Sequence, residues 1–215
     1  MAHSTSSRHE ARAGSPRTPS SERGSAGRAM ESSENGQNLG VHENQSLSLD
    51  KNAMKQLVAI GELHEWLEQK GLDHWLFGGW AVDFHAGRTT RPHRDIDLAV
   101  WLKDVPEIAD VLADTGWVHK PSPRDNGGTR FVRGPVPVDL TFLVREDDGV
   151  WLPLADGPSP WPKELLEVDV LALAGKRCRV MALAPLRRMK SNTREDPEDG
   201  ARDAADHRIL CQLRS

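Results

Sequence analysis

The stretch from Trp75 to Val100 constrains this chain more than any other part of it. Trp75-Leu76-Phe77 reads as a strand running into the double glycine Gly78-Gly79. Trp80 to Ala86 reads as a short helix closed by Gly87. A second strand starts at Asp95 and carries two acids, Asp95 and Asp97, on an apolar background of Ile96, Leu98 and Val100. Side chains alternate along a strand, so the two acids share one face and the apolar set points the other way, into a core. Two adjacent carboxylates repel each other. A hard divalent cation removes that repulsion, and Mg²⁺ takes carboxylate oxygens together with substrate phosphates. The glycines suit the same ligand. Without Cβ atoms the backbone approaches a phosphate closely, and the N–H groups of the turn and helix start point at it. A tight glycine turn or an acidic strand face is commonplace alone. Their order and strand context together predict a metal–nucleotide site.

Gly78-Gly79-Trp80-Ala81-Val82-Asp83, Gly87-Arg88, Thr90-Arg91, His93 and Asp95-Ile96-Asp97-Leu98 together resemble the nucleotidyltransferase superfamily. Within it they resemble the aminoglycoside 2″-nucleotidyltransferases and the related lincosamide nucleotidyltransferases. The segment between Gly79 and Asp95 is longer than in many superfamily members, and the antibiotic-modifying branch shares that length. The resemblance covers most of residues 51–210 and is strongest over 75–100. It implies an α+β protein with the minimal, polymerase-beta-like nucleotidyltransferase fold, a mixed sheet flanked by helices. It also implies a transferase that moves a nucleoside monophosphate, AMP from ATP or from another NTP, to a hydroxyl of a small molecule such as an aminoglycoside or lincosamide, with two Mg²⁺ ions.

Composition sets the outer limits. The 215 residues suffice for one domain with a proper core. No apolar run reaches the length of a membrane span, and the start lacks the apolar core of a secretory signal. The formal net charge of −4 argues against a nucleic-acid partner and is compatible with a cationic substrate. Two cysteines, Cys178 and Cys211, give no disulfide framework, and the nine histidines show no zinc-ligand spacing with them. A cytoplasmic location fits both this composition and the use of nucleotide.

Residues 1–50 are rich in Ser, Gly, Arg and Glu and nearly free of large apolar residues, so a disordered tail is expected there, with the transferase domain over 51–215. Residues 51–70 read as an amphipathic helix, with Met54, Leu57, Val58, Leu63, Trp66 and Leu67 at helical spacing, Asp50 or Ser48 as its cap, and no part in the chemistry. A helix is expected over 105–115. Strands are expected from Trp117, over 129–132 and over 136–144, the last two joined through Gly134-Pro135. Residues 145–162 read as loop. A hairpin turning at Ala174-Gly175 and a helix from Pro185 to Asn192 follow. Asp196-Pro197-Glu198-Asp199 reads as a final helix start, leading to Arg202, Asp203 and Asp206, to which the sequence gives packing or salt bridges but no firmer role.

Roles follow from the resemblance. Asp95 and Asp97 are metal ligands. Asp139, an acid inside the apolar strand from Val136, is either the polar residue of an edge strand or a third acid beside them. Relatives imply the third acid, as metal ligand or as general base on the acceptor hydroxyl, and of these two they imply the base. Gly78 and Gly79 hold the triphosphate, and Arg91 is the foremost candidate for phosphate charge. Arg88 and Arg94 are balanced between that role and surface ion pairs, His93 between bridging a phosphate and capping its loop, and Lys190 leans towards a solvated helix lysine. Two other readings stay open: a transferase acting on a protein or tRNA end, and an inactive binding module of the same fold. The missing basic face counts against RNA, and the retained glycines and acids count against inactivity.

Overall fold

Asp50 opens the first helix by accepting a hydrogen bond from the Ala53 N–H at 2.6 Å, satisfying one of the orphan donors of the first turn. The computed structural model describes residues 50–123, 125–147, 149–192 and 196–213. The tail expected over 1–50 therefore lies, apart from Asp50, outside the described residues. Helix α1 (Lys51–Gln69) buries Leu57, Ile60, Leu63 and Leu67, and it ends before Gly71 at φ +67°. Met54, expected on the buried stripe, is 46% exposed, and Ala53 and Gln56 are buried instead.

The chain continues through β1 (His74–Phe77), α2 (Gly78–Ala86), β2 (Ile96–Trp101), α3 (Val105–Asp114), β3 (Val118–His119), β4 (Gly128–Arg133) and β5 (Val136–Glu146). Then come β6 (Gly149–Leu152), β7 (Ser159–Pro160), β8 (Val168–Leu173), β9 (Lys176–Met181), α4 (Leu183–Lys190) and α5 (Pro197–Gln212). The sheet runs β3-β4-β5-β2-β1-β9-β8, with β6 and β7 continuing from the end of β5. It is mixed: β2–β5 and β1–β9 are parallel, and β1–β2, β3–β4, β4–β5 and β8–β9 are antiparallel. Helix α1 packs on β9 and β5, α2 lies against β1, β2 and β8, and α5 covers α2 and α4. This is the expected α+β architecture, a mixed sheet flanked by helices. Ile96, Leu98 and Val100 are fully buried beneath the acidic face, as alternation predicts. Among the described residues no helix is long and apolar enough to cross a membrane.

Several boundaries differ from expectation. The glycine pair is itself the first turn of α2, so the helix starts at Gly78 and not at Trp80. β2 begins at Ile96, because Pro92 to Asp95 form the loop that delivers the chain into the strand. β5 lies between β4 and β2, so Asp139 is not on an edge strand. Residues 145–162 hold the short strands β6 and β7. Pro160 is tolerated because β7 pairs with β6 alone, and the next N–H, of Trp161, reaches Val150 O at 2.7 Å. The hairpin turns at Ala174-Gly175 as expected, both with positive φ, and its first strand, β8, follows a 3-10 turn over Lys163–Leu166. Helix α4 begins at Leu183, two residues before the expected Pro185.

Candidate active site

Strand register assembles the site. Phe77 pairs with Asp97, Asp97 with Asp139, and Asp139 with Arg130, so one row crosses β1, β2, β5 and β4. Paired residues project to the same face of a sheet. Asp97, Asp139 and Arg130 therefore stand side by side, with Asp95 arriving from the loop two residues before Asp97.

Arg130 is the member that sequence reasoning missed. Its Nε and one terminal nitrogen each reach an oxygen of Asp139 at 2.5 Å, and that same terminal nitrogen lies 3.3 Å from Asp95 Oδ2. A cation already sits between two of the three acids. Burial pushes the Asp95 carboxyl above its usual range, and the charge of Asp139 adds to this; Arg130 and Arg94 offset only part. The hydrogen bonds to Asp139 in turn raise the Arg130 guanidinium. Three neighbouring carboxylates, two of them already drawing on one guanidinium, fit a divalent metal site.

The glycines fit their places for specific reasons. Gly78 has φ +68°, and a Cβ there would lie 2.0 Å from Asp97 Oδ2, so a side chain would strike the acid. A Cβ on Gly79 would fall 2.5 Å from an Arg91 nitrogen and 2.6 Å from His93 Nδ1. No side chain caps the start of α2, and both glycines line the cavity. That cavity, of about 510 Å³, is lined by Gly78, Gly79, Arg91, His93, Arg94, Asp95, Asp97 and Asp139 and, from the C-terminal helices, by Lys190, Asp199 and Arg202.

A chain of buried polar groups fixes its wall. Asp83 accepts from Thr90 N at 3.0 Å and from His93 Nε2 at 2.6 Å. Arg91 can only donate, so His93 Nδ1 accepts from it at 3.2 Å. Trp80 packs against the His93 ring at 4.5 Å with the planes tilted by 37°, and Gln56 of α1 donates to His93 O at 3.3 Å. Helix α1 thus supports the site, a part not expected of it from its spacing alone. Arg91 makes a two-pronged bond to Asp206 of α5, at 3.0 and 2.9 Å. Burial opposes the Asp206 charge, but Arg91 and Lys190 outweigh it and hold this carboxyl below its usual range.

Asp95, Asp97, Asp139, Gly78, Gly79, Arg91 and His93 thus come together around one cavity. Arg94 lines it from a 60% exposed position, 3.3 Å from Asp199. Arg88 does not reach it. It is exposed beyond Gly87, and the seven residues of α2 that follow the glycines, about 10 Å of helix, separate it from them. Lys190 corrects the expectation of a solvated lysine: it is buried, 2.5 Å from Asp203 and 3.0 Å from Asp206.

A second cavity, of about 600 Å³, opens on the far side of Asp139 and is walled by Trp161, Leu152, Leu154, Asp125 and Arg130. Phe77 and Asp139 border both cavities.

A family model for aminoglycoside-2″-adenylyltransferase matches residues 59–196. The chain belongs to that family. Two relatives of this adenylyltransferase-family chain match over short stretches. A lincosamide resistance protein of Staphylococcus haemolyticus is 35% identical over 63 residues, 29% of this chain and 37% of that protein. A 2″-aminoglycoside nucleotidyltransferase of Klebsiella pneumoniae is 42% identical over 43 residues, 20% of this chain and 24% of that protein. The matched stretches thus span well under half the length of either relative. Among solved structures, ANT(2″)-Ia in complex with adenylyl-2″-tobramycin superposes with a TM-score of 0.58 at 22% identity, over 73% of this chain and 88% of that one. The lincosamide antibiotic adenylyltransferase LnuA with lincomycin bound gives 0.55 at 19% identity, over 74% and 97%. At these identities the likeness establishes the nucleotidyltransferase fold of this family member.

Proposed function

We propose that this protein is a metal-dependent adenylyltransferase that moves AMP from ATP to a hydroxyl of an aminoglycoside. The observation that carries the reading is the position of Asp139, shared by two cavities. The first offers glycine backbone, cationic side chains and acids, which suits a metal-bound triphosphate. The second offers the aromatic and aliphatic surfaces of Trp161, Phe77 and Leu152, with Asp125 and Asp139 set against Arg130 and Lys120, which suits a ring-built polar acceptor. By their names one relative is a lincosamide resistance protein and the other a 2″-aminoglycoside nucleotidyltransferase, and the family model over residues 59–196 supports the aminoglycoside as acceptor.

In the proposed reaction the acceptor oxygen forms a bond to the α-phosphorus of ATP, and the bond from that phosphorus to the bridging oxygen breaks. Pyrophosphate leaves with the electron pair, and Asp139 takes the hydroxyl proton. Asp95 and Asp97, with Asp139 at their side, would hold two Mg²⁺ ions, which neutralise charge on the attacking and leaving oxygens. Gly78 and Gly79 receive the phosphates. Arg94 and Arg202 face them from the cavity wall. Arg91, held by Asp206, and His93, held by Asp83, fix the loop that sets Asp95 in place. ATP as donor implies a cytoplasmic reaction.

The test is incubation with ATP labelled at the α-phosphate, Mg²⁺ and a panel of aminoglycosides and lincosamides. Label on an aminoglycoside, with matching pyrophosphate release, is the expected result. Label on tRNA or protein, or none on any small molecule, overturns the reading.

A further inference from the structure

Away from the active site, three elements bring soft ligands together in the core. His64 lies on α1, His74 begins β1 and Cys178 lies on β9. The ligand atoms of these three residues are all within 4.8 Å of one another, His74 and Cys178 being buried and His64 half-buried. His74 stands at the opposite end of β1 from Phe77, about 10 Å from the row of acids. The sequence showed no zinc spacing because the ligands are scattered over 64, 74 and 178, and only the packing of α1 against the sheet gathers them.

The hydrogen bonds settle which nitrogens face inward. His74 Nδ1 is 3.0 Å from Leu72 O, and a carbonyl only accepts, so Nδ1 carries the proton. His74 Nε2 is then a bare lone pair, aimed at His64 Nδ1 at 2.9 Å. An imidazole whose outer nitrogen donates to a backbone carbonyl is oriented as metal-bound histidines are. Burial keeps both rings neutral, pulling His74 down to about 4 and His64 down as well. Burial likewise holds the Cys178 thiol protonated, so a cation must supply the charge that stabilises its thiolate.

We propose that His64 Nδ1, His74 Nε2 and Cys178 Sγ form a site for a zinc-class cation that ties α1 to β1 and β9. Tetrahedral zinc with bonds of about 2.0–2.3 Å sets its ligand atoms about 3.3–3.8 Å apart. The nitrogens need to part by only a few tenths of an ångström from their 2.9 Å contact. Loading releases the Cys178 proton to solvent. The proton on His64 Nδ1 moves through solvent to Nε2, so the ring stays neutral and the metal gains one thiolate and two imidazoles. The half-exposed side of His64 leaves the fourth position to water. The ligand set excludes Mg²⁺, which demands oxygen, so this site and the carboxylate site take different metals. The proposal does not depend on the transferase reading.

The experiment uses untagged full-length protein, stripped with chelator and titrated with Co²⁺ and then Zn²⁺. One equivalent of Co²⁺ should produce a thiolate-to-cobalt charge-transfer band in the near ultraviolet. Zn²⁺ should abolish the band and raise the melting temperature, and excess Mg²⁺ should not displace the metal. Cys178→Ser should lose the band and Cys211→Ser should keep it. Cys211 is the needed control because it lies 3.5 Å from His207 Nε2 on the exposed face of α5. His64→Ala sits at a half-exposed position that tolerates truncation, and it should weaken Co²⁺ binding by at least about tenfold. This variant decides the matter if Cys178→Ser does not fold. Absence of the band, its loss in Cys211→Ser but not in Cys178→Ser, or unchanged affinity in His64→Ala overturns the proposal.

Discussion

Arg130 grips both oxygens of Asp139 from the neighbouring strand, each at 2.5 Å, and reaches Asp95 with the same guanidinium. A metal ion entering between these acids competes with that guanidinium. Arg130→Gln is therefore expected to lower the Mg²⁺ concentration needed for half-maximal nucleotide binding. Both partners are substantially solvent-exposed, which keeps the shift modest, about two- to tenfold. Titrating Mg²⁺ against binding of a non-hydrolysable ATP analogue measures it. A higher requirement in the variant would show instead that Arg130 assists the nucleotide.

Asp139→Asn separates base from ligand. With Asp95 and Asp97 intact, ATP and Mg²⁺ binding should hold, while transfer falls about 10²–10⁴-fold. A large rise in the metal requirement would make Asp139 a primary ligand, and unchanged transfer would remove it from the reaction.

Asp95 and Asp206 should respond to pH with opposite signs. The folded protein raises the Asp95 carboxyl above its usual range, so its ionised form costs stability at neutral pH and that cost disappears as pH falls. Metal-free Asp95→Asn should melt level with the parent protein or above it at pH about 7, and the difference should vanish below about pH 4. Asp206 is held low, so its contribution is present above the usual carboxylate value and is lost only as pH falls through its lowered value. Asp206→Asn leaves buried Lys190 and half-buried Arg91 short of a partner, and about 3 kcal/mol should be lost near neutral pH. Melting curves of both variants across pH check the pair of signs.

The acids were legible because strand alternation and a glycine turn are local signals. Arg130 was nearly legible too. The turn at Gly134-Pro135 pairs Arg133 with Val136, and counting outward sets Arg130 opposite Asp139. The polar look of Thr129 to Arg133 hid this, since an arginine on a strand usually faces water. The contacts of Lys190 and Arg91 were beyond local reading, because their partners Asp203 and Asp206 meet them only when α5 docks on α2 and α4. Strands β6 and β7 were hidden by prolines, which penalise strands in general but not a two-residue pairing at the margin of a sheet.

Ala174 carries φ +46° at the first turn position between β8 and β9, and among the described residues it alone adopts a positive φ without being glycine. The left-handed region costs a residue with a Cβ about 1–2 kcal/mol, part of which glycine returns as chain entropy. Ala174→Gly should therefore stabilise the fold by about 0.5–1 kcal/mol. Denaturant unfolding with an unchanged slope would confirm a pure stability effect.

Removal of residues 1–49 should leave melting temperature and transfer unchanged, because the Asp50 cap of α1 is retained. A fall in either would show that the tail contributes to the domain.

Arg91 finds its carboxylate partner 115 residues downstream. During synthesis the glycine turn, all three acids and Arg130 have emerged before α5 exists. A nascent chain of that length carries the acids and Arg130 without the helix that anchors the loop leading into Asp95. Translation order therefore makes α5 the keystone, and the cavity lined by Gly78, Asp97 and Arg91 is a late event in the life of each molecule.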